Sequence, residues 1–258
     1  MGNAALANPL KKLTGCAEQT FSLARSRQDL THAFRLSFES YYDAGLVNEK
    51  PSGIRLTPYH LLPTTEVIIA KVDGVITSTI SLIGDGYLGL PMQSMYSDEI
   101  KELRDQGLKV GEIGCLADRR HAQTRFIETF AKMGRLLAQV AFVRGMDVLV
   151  AATHPKHARL YQRVLGFERM GKQTDCPYAN DNPAVALKVK FDEHVGTPLY
   201  QQYFGQSLPQ RELAPYRWDR ATRQHFKKVL ERDNEITSLA GVEGYYNWAV
   251  LTGTLTSN

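Results

Sequence analysis

The 258-residue chain is poor in cysteine, with three cysteines at widely spaced positions. Cys16, Cys115 and Cys176 form no Cys-x-x-Cys pair, and no histidine is placed to complete a zinc site with them. This spacing argues against a disulfide framework and predicts reduced thiols. Reduced thiols are typical of the cytosol, so we expect a cytoplasmic protein that holds no metal.

The chain also lacks a long apolar run. Its most apolar stretch, residues 136–152, is interrupted by Arg144 and Asp147. The N-terminus has no continuous apolar segment behind its Lys11-Lys12 pair. We therefore expect neither a membrane span nor a signal peptide.

A large net charge is missing as well, since 31 basic and 27 acidic residues leave a formal charge of +4. Attraction for an anionic partner must then come from local clusters, and we expect no nucleic-acid partner. With 43% hydrophobic and 22% charged residues, the composition is that of an ordinary globular protein with a full core.

Hydrophobic periodicity predicts an α/β protein. Residues 28–44 have helical spacing, and Asp73-Gly74 joins two β-branched runs, residues 66–72 and 75–83, as a two-residue hairpin turn requires. Further helices are predicted at 96–106, 124–144, 154–165 and 217–232, and further strands at 109–116, 147–152, 167–171 and 184–191. The strand–helix–strand units and the hairpin together predict a mixed sheet flanked by helices.

Three regions follow from this pattern. Residues 1–27 lack sustained periodicity and are predicted to be a loosely ordered arm or a short lead-in helix. Residues 28–191 hold the alternating elements and form the main domain. Residues 192–258 are rich in proline and aromatic residues around one clear helix, which indicates a helical extension or lid.

Several segments carry a resemblance to known proteins. Residues 154–167, His-Pro-Lys-His-Ala-Arg-Leu-Tyr-Gln-Arg-Val-Leu-Gly-Phe, resemble the last motif of the GNAT acyltransferase superfamily. Residues 34–45, Leu90-Pro-Met, residues 111–120 and Cys176-Pro-Tyr resemble the N-acyl amino acid synthase family, a relative of the acyl-homoserine-lactone synthases. Together they cover residues 28–191 in the right order, which makes chance agreement improbable.

The resemblance implies a GNAT-like fold, with a mixed central sheet flanked by helices and a helical C-terminal extension. It also implies transfer of a medium or long fatty acyl group to the amine of an amino acid. Acetyl-CoA-dependent relatives bind pyrophosphate with a glycine-rich turn, whereas residues 118–125 of this chain contain no glycine. The donor implied is therefore acyl carrier protein, with its acyl-phosphopantetheine thioester as co-substrate and no tightly bound cofactor.

Glu112 is the candidate general base for the attacking amine, because a carboxylate in an apolar strand has a raised pKa. The alternative is a structural role, such as pairing with a helix arginine. Tyr161 matches the tyrosine that protonates the leaving thiolate in many GNAT enzymes, although it lies five residues before Gly166, one more than usual. A buried packing role for Tyr161 is the alternative. The backbone amides of Leu116 and Ala117 are candidate donors to the thioester oxygen.

The acceptor amino acid is predicted to bind near Arg35, Ser40 and Tyr41, which lie in the segment that resembles the synthase family. Arg35 can hold either Glu112 or the acceptor's carboxylate in a bidentate pair. The alternative for Arg35 is an exposed charge on a helix.

The carrier's phosphopantetheine phosphate is predicted to dock on a basic cluster, Arg119, Arg120 and Arg125, followed by Lys132 and Arg135. A solvated basic helix face is the alternative. Six apolar residues are predicted to form the wall of an acyl tunnel, and the alternative is that they are ordinary core residues: Leu90, Pro91, Met92, Phe126, Phe130 and Met133.

Two other functions remain open from the sequence. A homoserine-lactone-type signal synthase is disfavoured because Cys115 stands where that branch has an arginine. A non-catalytic module that binds acyl carrier protein is a second alternative, in which the arginines dock the carrier and Glu112 is structural.

Overall fold

The structure is a computed structural model that describes residues 18–119 and 123–233. It contains the strands β1 (Gln19–Leu23), β2 (Thr65–Val72), β3 (Val75–Gly84), β4 (Val110–Asp118), β5 (Val148–Thr153), β6 (Glu168–Arg169), β7 (Thr174–Cys176) and β8 (Asn182–Lys190). It contains the helices α1 (Arg27–Asp43), α2 (Ser97–Asp105), α3 (Gln123–Val143), α4 (Pro155–Leu165), α5 (Pro198–Phe204), α6 (Gln210–Leu213) and α7 (Arg220–Arg232).

The strands form one mixed sheet in the order β1-β2-β3-β4-β5-β8-β6, and β7 pairs with β8 beside it. Strands β4 and β5 are parallel, and the other described pairs are antiparallel. A parallel pair needs a crossover, and α3 supplies it between β4 and β5. The predicted GNAT-like α/β class, a mixed sheet with helices on its faces, is confirmed.

The central parallel pair separates soon after it begins. Its register runs only from Val110 opposite Val148 to Glu112 opposite Val150. Beyond that point β4 stays with β3, and β5 stays with β8. A gap therefore opens in the middle of the sheet directly after Glu112.

Strand β4 carries a bulge just after Glu112, where the strand borders the gap and pairs with β3. Ser81 of β3 pairs with Gly114, whereas Thr79 pairs with Ala117, so β4 has one residue more than β3 in this interval. Cys115 sits in the bulge with a φ of 52°, in the left-handed region that non-glycine residues rarely adopt. The bulge re-aims the backbone of β4 where it borders the gap.

Apolar packing covers both faces of the sheet. On one face, α3 and α4 contribute buried side chains such as Phe130 and Tyr161. On the other face, Phe34 of α1 packs edge-to-face on Phe226 of α7, with ring centroids 5.4 Å apart. The apolar faces of α1 and α3 are buried against the sheet, which accounts for the helical spacing of their apolar residues.

The extension after β8 is clasped by side chains of the main domain. Gln139 of α3 donates to the carbonyl oxygens of Tyr203 and Gln206, at 2.7 and 2.8 Å. Arg25 donates to the carbonyl oxygens of residues 211, 212 and 214 at 2.8–3.1 Å. Arg144 adds a bond to the carbonyl oxygen of Leu213 at 3.2 Å. Residues 198–214 are thereby fixed against α3 and β1.

The predicted elements agree with the observed ones within a few residues, but α5 and α6 were not predicted, and two further segments differ. Residues 19–23, expected in a loose arm or lead-in helix, form the edge strand β1, which pairs with β2. Residues 167–171, expected as one strand, pair over Glu168–Arg169 alone, and β7 follows separately. Within the described part of the chain, none of the helices has the length and hydropathy needed to cross a membrane.

Candidate active site

Glu112 stands at the point where β4 and β5 part. Its side chain is 4% exposed. The backbone N–H of Met92 donates to its Oε2 at 2.9 Å. This amide belongs to a 3-10 turn, Pro91–Ser94, in which proline occupies a first-turn position that needs no N–H. The Leu90-Pro-Met segment thus delivers a backbone donor to the buried carboxyl group.

Burial changes the acidity of Glu112. Loss of hydration raises the pKa of Glu112 from 4.5 to about 8, and the nearby Cys115 adds to the rise. The Met92 hydrogen bond acts in the opposite direction, because it favours the charged form. A carboxyl group with this pKa accepts a proton from a bound amine far more readily than an ordinary glutamate does.

The gap in the sheet is part of a cavity of about 2040 Å³. Glu112, Cys115, Leu116 and Ala117 line it from β4, and Tyr161 lines it from α4. Ordinary ligand pockets enclose about 300–1,000 Å³. The cavity therefore has room for two substrates at once. The same wall holds the bulge at Cys115, next to the two residues whose amides were predicted to face the thioester oxygen, Leu116 and Ala117.

Tyr161 is buried against aromatic neighbours. Its ring lies edge-to-face with Phe130 and Phe167, with centroids 5.2 and 5.6 Å away. Burial raises the pKa of Tyr161 far above its ordinary value, and Tyr41 and Cys115 contribute to the rise. The hydroxyl therefore keeps its proton, so Tyr161 combines the predicted packing role with a place on the cavity wall.

Ser40 and Tyr41, at the C-terminal end of α1, also line the cavity. The guanidinium of Arg55 lies over the Tyr41 ring, with its carbon 4.2 Å from the centroid. Arg55 is 8% exposed and lines the cavity as well. Sequence reasoning missed Arg55, because the loop between α1 and β2 has neither periodicity nor a motif.

Arg35 is not brought to this site. It is exposed on α1, and it is absent from the described residues that line the cavity. Its helix turns Ala33, Phe34 and Ser37 toward the core, and Arg35 projects away from them. The structure thus provides no contact between Arg35 and Glu112.

The basic cluster is divided by the structure. Arg119 is half-exposed and pairs with Glu39 at 3.4 Å. Arg120 lies outside the described residues, as does the side chain of Arg125. Arg135, by contrast, donates to the carbonyl oxygen of Gln202 at 2.9 Å, which ties α3 to α5. The structure gives Arg135 a part in holding α5 against α3, and its predicted docking role stays a prediction.

His154 and His157 start α4 beside the cavity. The Nδ1 of His154 accepts from the backbone N–H of Lys156 at 3.2 Å, so His154 caps the helix. In the described ranges, no group of three His, Cys, Asp or Glu side chains is placed to hold a metal ion. Capping is the role that the structure gives to His154.

The residues predicted for an acyl tunnel fall into two groups. Leu90, Pro91 and Phe126 line the cavity. Met92 is 0% exposed and Phe130 and Met133 are 1% exposed, and all three pack in the hydrophobic core. The apolar wall near Glu112 is therefore formed by the first group.

The raised pKa of Glu112 predicts an unusual stability change. The unfolded carboxyl ionises near pH 4.5 and the folded one near 8, so stability is lost as pH rises between these values. Glu112→Gln has no such loss, and it keeps an oxygen that can accept from Met92. As the pH rises from 5 to 7.5, we expect the free energy of unfolding of the variant to increase by roughly 3 kcal/mol relative to that of the wild type.

Calorimetric Tm values at the two pH values measure this gain. Glu102→Gln, on the exposed face of α2, is the matched control and should follow the wild type. Equal Tm changes for Glu112→Gln and the wild type would show that Glu112 ionises normally.

Comparison with known proteins bears on this site. The family model described as "N-acyl amino acid synthase FeeM" matches residues 32–190 of the chain. This match includes Glu112, the Leu90-Pro-Met turn and Tyr161, and it covers more than half of the chain. A comparison with curated protein sequences finds no match.

Solved structures with the same fold include three synthases. FeeM, an N-acyl amino acid synthase from uncultured soil microbes, is 24% identical with a TM-score of 0.61, over 72% of this chain and 98% of that one. The acyl-homoserine-lactone synthase LasI is 14% identical with a TM-score of 0.55, over 75% and 98%. The CoA-dependent acyl-homoserine-lactone synthase MesI is 14% identical with a TM-score of 0.50, over 74% and 97%. These likenesses show the fold.

Proposed function

Since the chain belongs to the N-acyl amino acid synthase family and is therefore an acyltransferase, we propose that it moves a medium or long fatty acyl group from acyl carrier protein to an α-amino acid. The product is an N-acyl amino acid. The observation that carries this proposal is the placement of Glu112, a buried carboxyl group with a pKa of about 8 at the apex of the sheet gap.

The proposed chemistry begins with the acceptor's ammonium group. Glu112 takes one proton from it, directly or through water, and the freed amine attacks the thioester carbon. A C–N bond forms and negative charge develops on the carbonyl oxygen, where the amides of Leu116 and Ala117 stabilise it. The C–S bond then breaks, and the second amine proton passes to the departing thiolate.

Tyr161 has a modest role in this scheme. Tyr161 lines the cavity and its hydroxyl retains a proton, so it can donate that proton to the thiolate as the C–S bond breaks and take the second amine proton in its place. A thiolate is a good leaving group without such help, because its conjugate thiol has a pKa near 8.5. Orientation of the two substrates accounts for more of the rate than this proton does.

The segment at the end of β4 and after it supports a choice of donor. Residues 118–125 contain no glycine that would let backbone N–H groups approach a pyrophosphate, and they carry Arg119, Arg120 and Arg125. A phosphopantetheine arm carries one phosphate and needs no such cradle. We therefore propose that the carrier-bound thioester is the substrate and that the arginines contact its phosphate and the acidic carrier.

Donor choice gives a direct test of the function. The full chain is incubated with palmitoyl-type acyl carrier thioester or the matching acyl-CoA, each with all twenty amino acids, and the products are identified by mass spectrometry. We expect one dominant N-acyl amino acid, with kcat/KM at least about 100-fold higher for the carrier-bound donor.

Other outcomes separate the alternatives. Intact thioester in every tube, with carrier still bound to the protein, would favour a non-catalytic binding module. A homoserine lactone formed when S-adenosylmethionine replaces the amino acids would favour a signal synthase. Equal rates with both thioesters would contradict the assignment of the donor while leaving acyl transfer intact.

A further inference from the structure

Arg55 is the buried cation of the active-site cavity. The other lysines and arginines that line the cavity, within the described part of the chain, are half-buried or exposed: Lys50, Arg104, Lys109, Arg144 and Arg217. Two of them neutralise carboxylates, since Arg104 pairs with Asp85 and Arg144 pairs with Glu66. Arg55 differs from these residues because it is buried.

The loop that carries Arg55 is held in place at several points. The backbone N–H of Arg55 donates to the carbonyl oxygen of Phe34 at 2.9 Å, which ties the loop to α1. Ser52 is bonded to Asp233 at the end of α7. Asn180 donates to the carbonyl oxygen of Gly45 at 3.2 Å. Hydrogen bonds to α1, α7 and Asn180 therefore hold the backbone of the loop that carries the guanidinium.

The Tyr41 ring lies against the guanidinium of Arg55, whose carbon is 4.2 Å from the ring centroid. The planar fork of an arginine can bind a carboxylate with two hydrogen bonds. A cation held in this way in a low-dielectric wall gains more from a bound anion than an exposed cation does.

Arg55 and Glu112 act on common neighbours. Burial raises the pKa of Cys176 to about 11, while Arg55 lowers it and Glu112 raises it. Tyr178 also responds to both groups. Cys176 and Tyr178 both line the cavity. The cationic group and the proposed base therefore border the same cavity and have neighbours in common.

We propose that Arg55 binds the α-carboxylate of the acceptor and thereby restricts the enzyme to amines that carry a neighbouring carboxylate. This inference rests on the proposed function. An α-amino acid has its amine and its carboxylate on the same carbon, so anchoring the carboxylate on Arg55 directs the amine toward Glu112. Arg55 is a specificity-determining residue, and it takes no part in proton transfer.

The test compares two acceptors that differ only in this charge. They are the amino acid that the wild type acylates and the primary carboxamide of the same amino acid. We expect the wild type to prefer the amino acid by 10- to 100-fold in kcat/KM. In Arg55→Met, kcat/KM for the amino acid should fall by this factor, while kcat/KM for the carboxamide should stay at the wild-type value. Arg55→Lys should have a kcat/KM for the amino acid between those of the wild type and Arg55→Met.

Matched variants make the result decisive. Arg223→Met, at an exposed position of α7, should resemble the wild type with both acceptors. Equal losses on both acceptors in Arg55→Met and Arg55→Lys would give Arg55 a structural role and overturn the inference. An unchanged preference in Arg55→Met, or a loss confined to Arg35→Met, would also overturn it. If the wild type acylates none of the twenty amino acids, the proposed function itself fails.

Discussion

Replacing Glu112 by glutamine is expected to lower kcat/KM about 1,000-fold, because a positioned general base contributes about 100- to 10,000-fold. Glutamine keeps the size of the side chain and an oxygen that can accept from the Met92 amide, but it cannot take a proton. The wild-type rate should rise about tenfold per pH unit up to pH 8 and then level off, because burial holds the pKa of Glu112 at about 8. Glu112→Gln should lose this rise.

Initial rates from pH 6 to 9.5, with saturating thioester, measure both effects. Glu102→Gln is the control, since this glutamate is exposed on α2. A variant that keeps the wild-type pH profile at reduced rate would assign the inflection to another group. Full activity in Glu112→Gln would remove Glu112 from the reaction and favour its structural interpretation.

Substitution of Cys115 should separate the shape of the β4 bulge from the chemistry of the thiol. Valine is strongly disfavoured at a φ of 52°, at about 1–2 kcal/mol or more, whereas glycine adopts this conformation freely. In Cys115→Val the bulge must shift, and the Leu116 and Ala117 amides move with it. Because one misplaced oxyanion donor costs about 100- to 1,000-fold in kcat, we expect a loss above 100-fold.

Cys115→Gly is the matched control for this variant. It removes the thiol and keeps the bulge, so kcat should stay within about threefold of the wild type. Single-turnover kinetics and intact mass of the enzyme distinguish the two roles. If Cys115→Gly is inactive and the wild type gains one acyl mass on Cys115, direct transfer to the amine is wrong. If valine and glycine behave alike, the bulge has no catalytic importance.

Local turn chemistry made much of the fold predictable. Asp73-Gly74 closes the β2–β3 hairpin because both residues adopt positive φ, 49° and 81°. Proline at position 155 and Gly166, with a φ of 65°, bound α4 as the sequence predicted. These signals depend on a few adjacent residues. The edge strand β1 has five residues and a weak pattern, so its pairing with β2 came only from the structure.

The site was predictable where a motif carries a side chain. Glu112 and Tyr161 lie in segments that resemble acyltransferase motifs, and both line the cavity. Two other features arise from contacts between distant segments. The Met92 amide reaches Glu112 across twenty residues, and Arg55 lies in a loop without a pattern. A backbone donor has no sequence signal of its own, and helical spacing placed Arg35 on α1 without defining the face that meets the cavity.

The clasp on the C-terminal extension has a consequence for how the family's sequences can diverge. Gln139, Arg25 and Arg144 bind carbonyl oxygens of residues 203–214, which every residue type provides. Substitutions at exposed positions of that segment leave these acceptors in place, whereas Tyr203 and Leu213 are buried in the core and are constrained by packing. The family match ends at residue 190, but the folded unit continues beyond it. Evolutionary constraint on the extension should therefore fall on the donors in the main domain and on these two buried side chains.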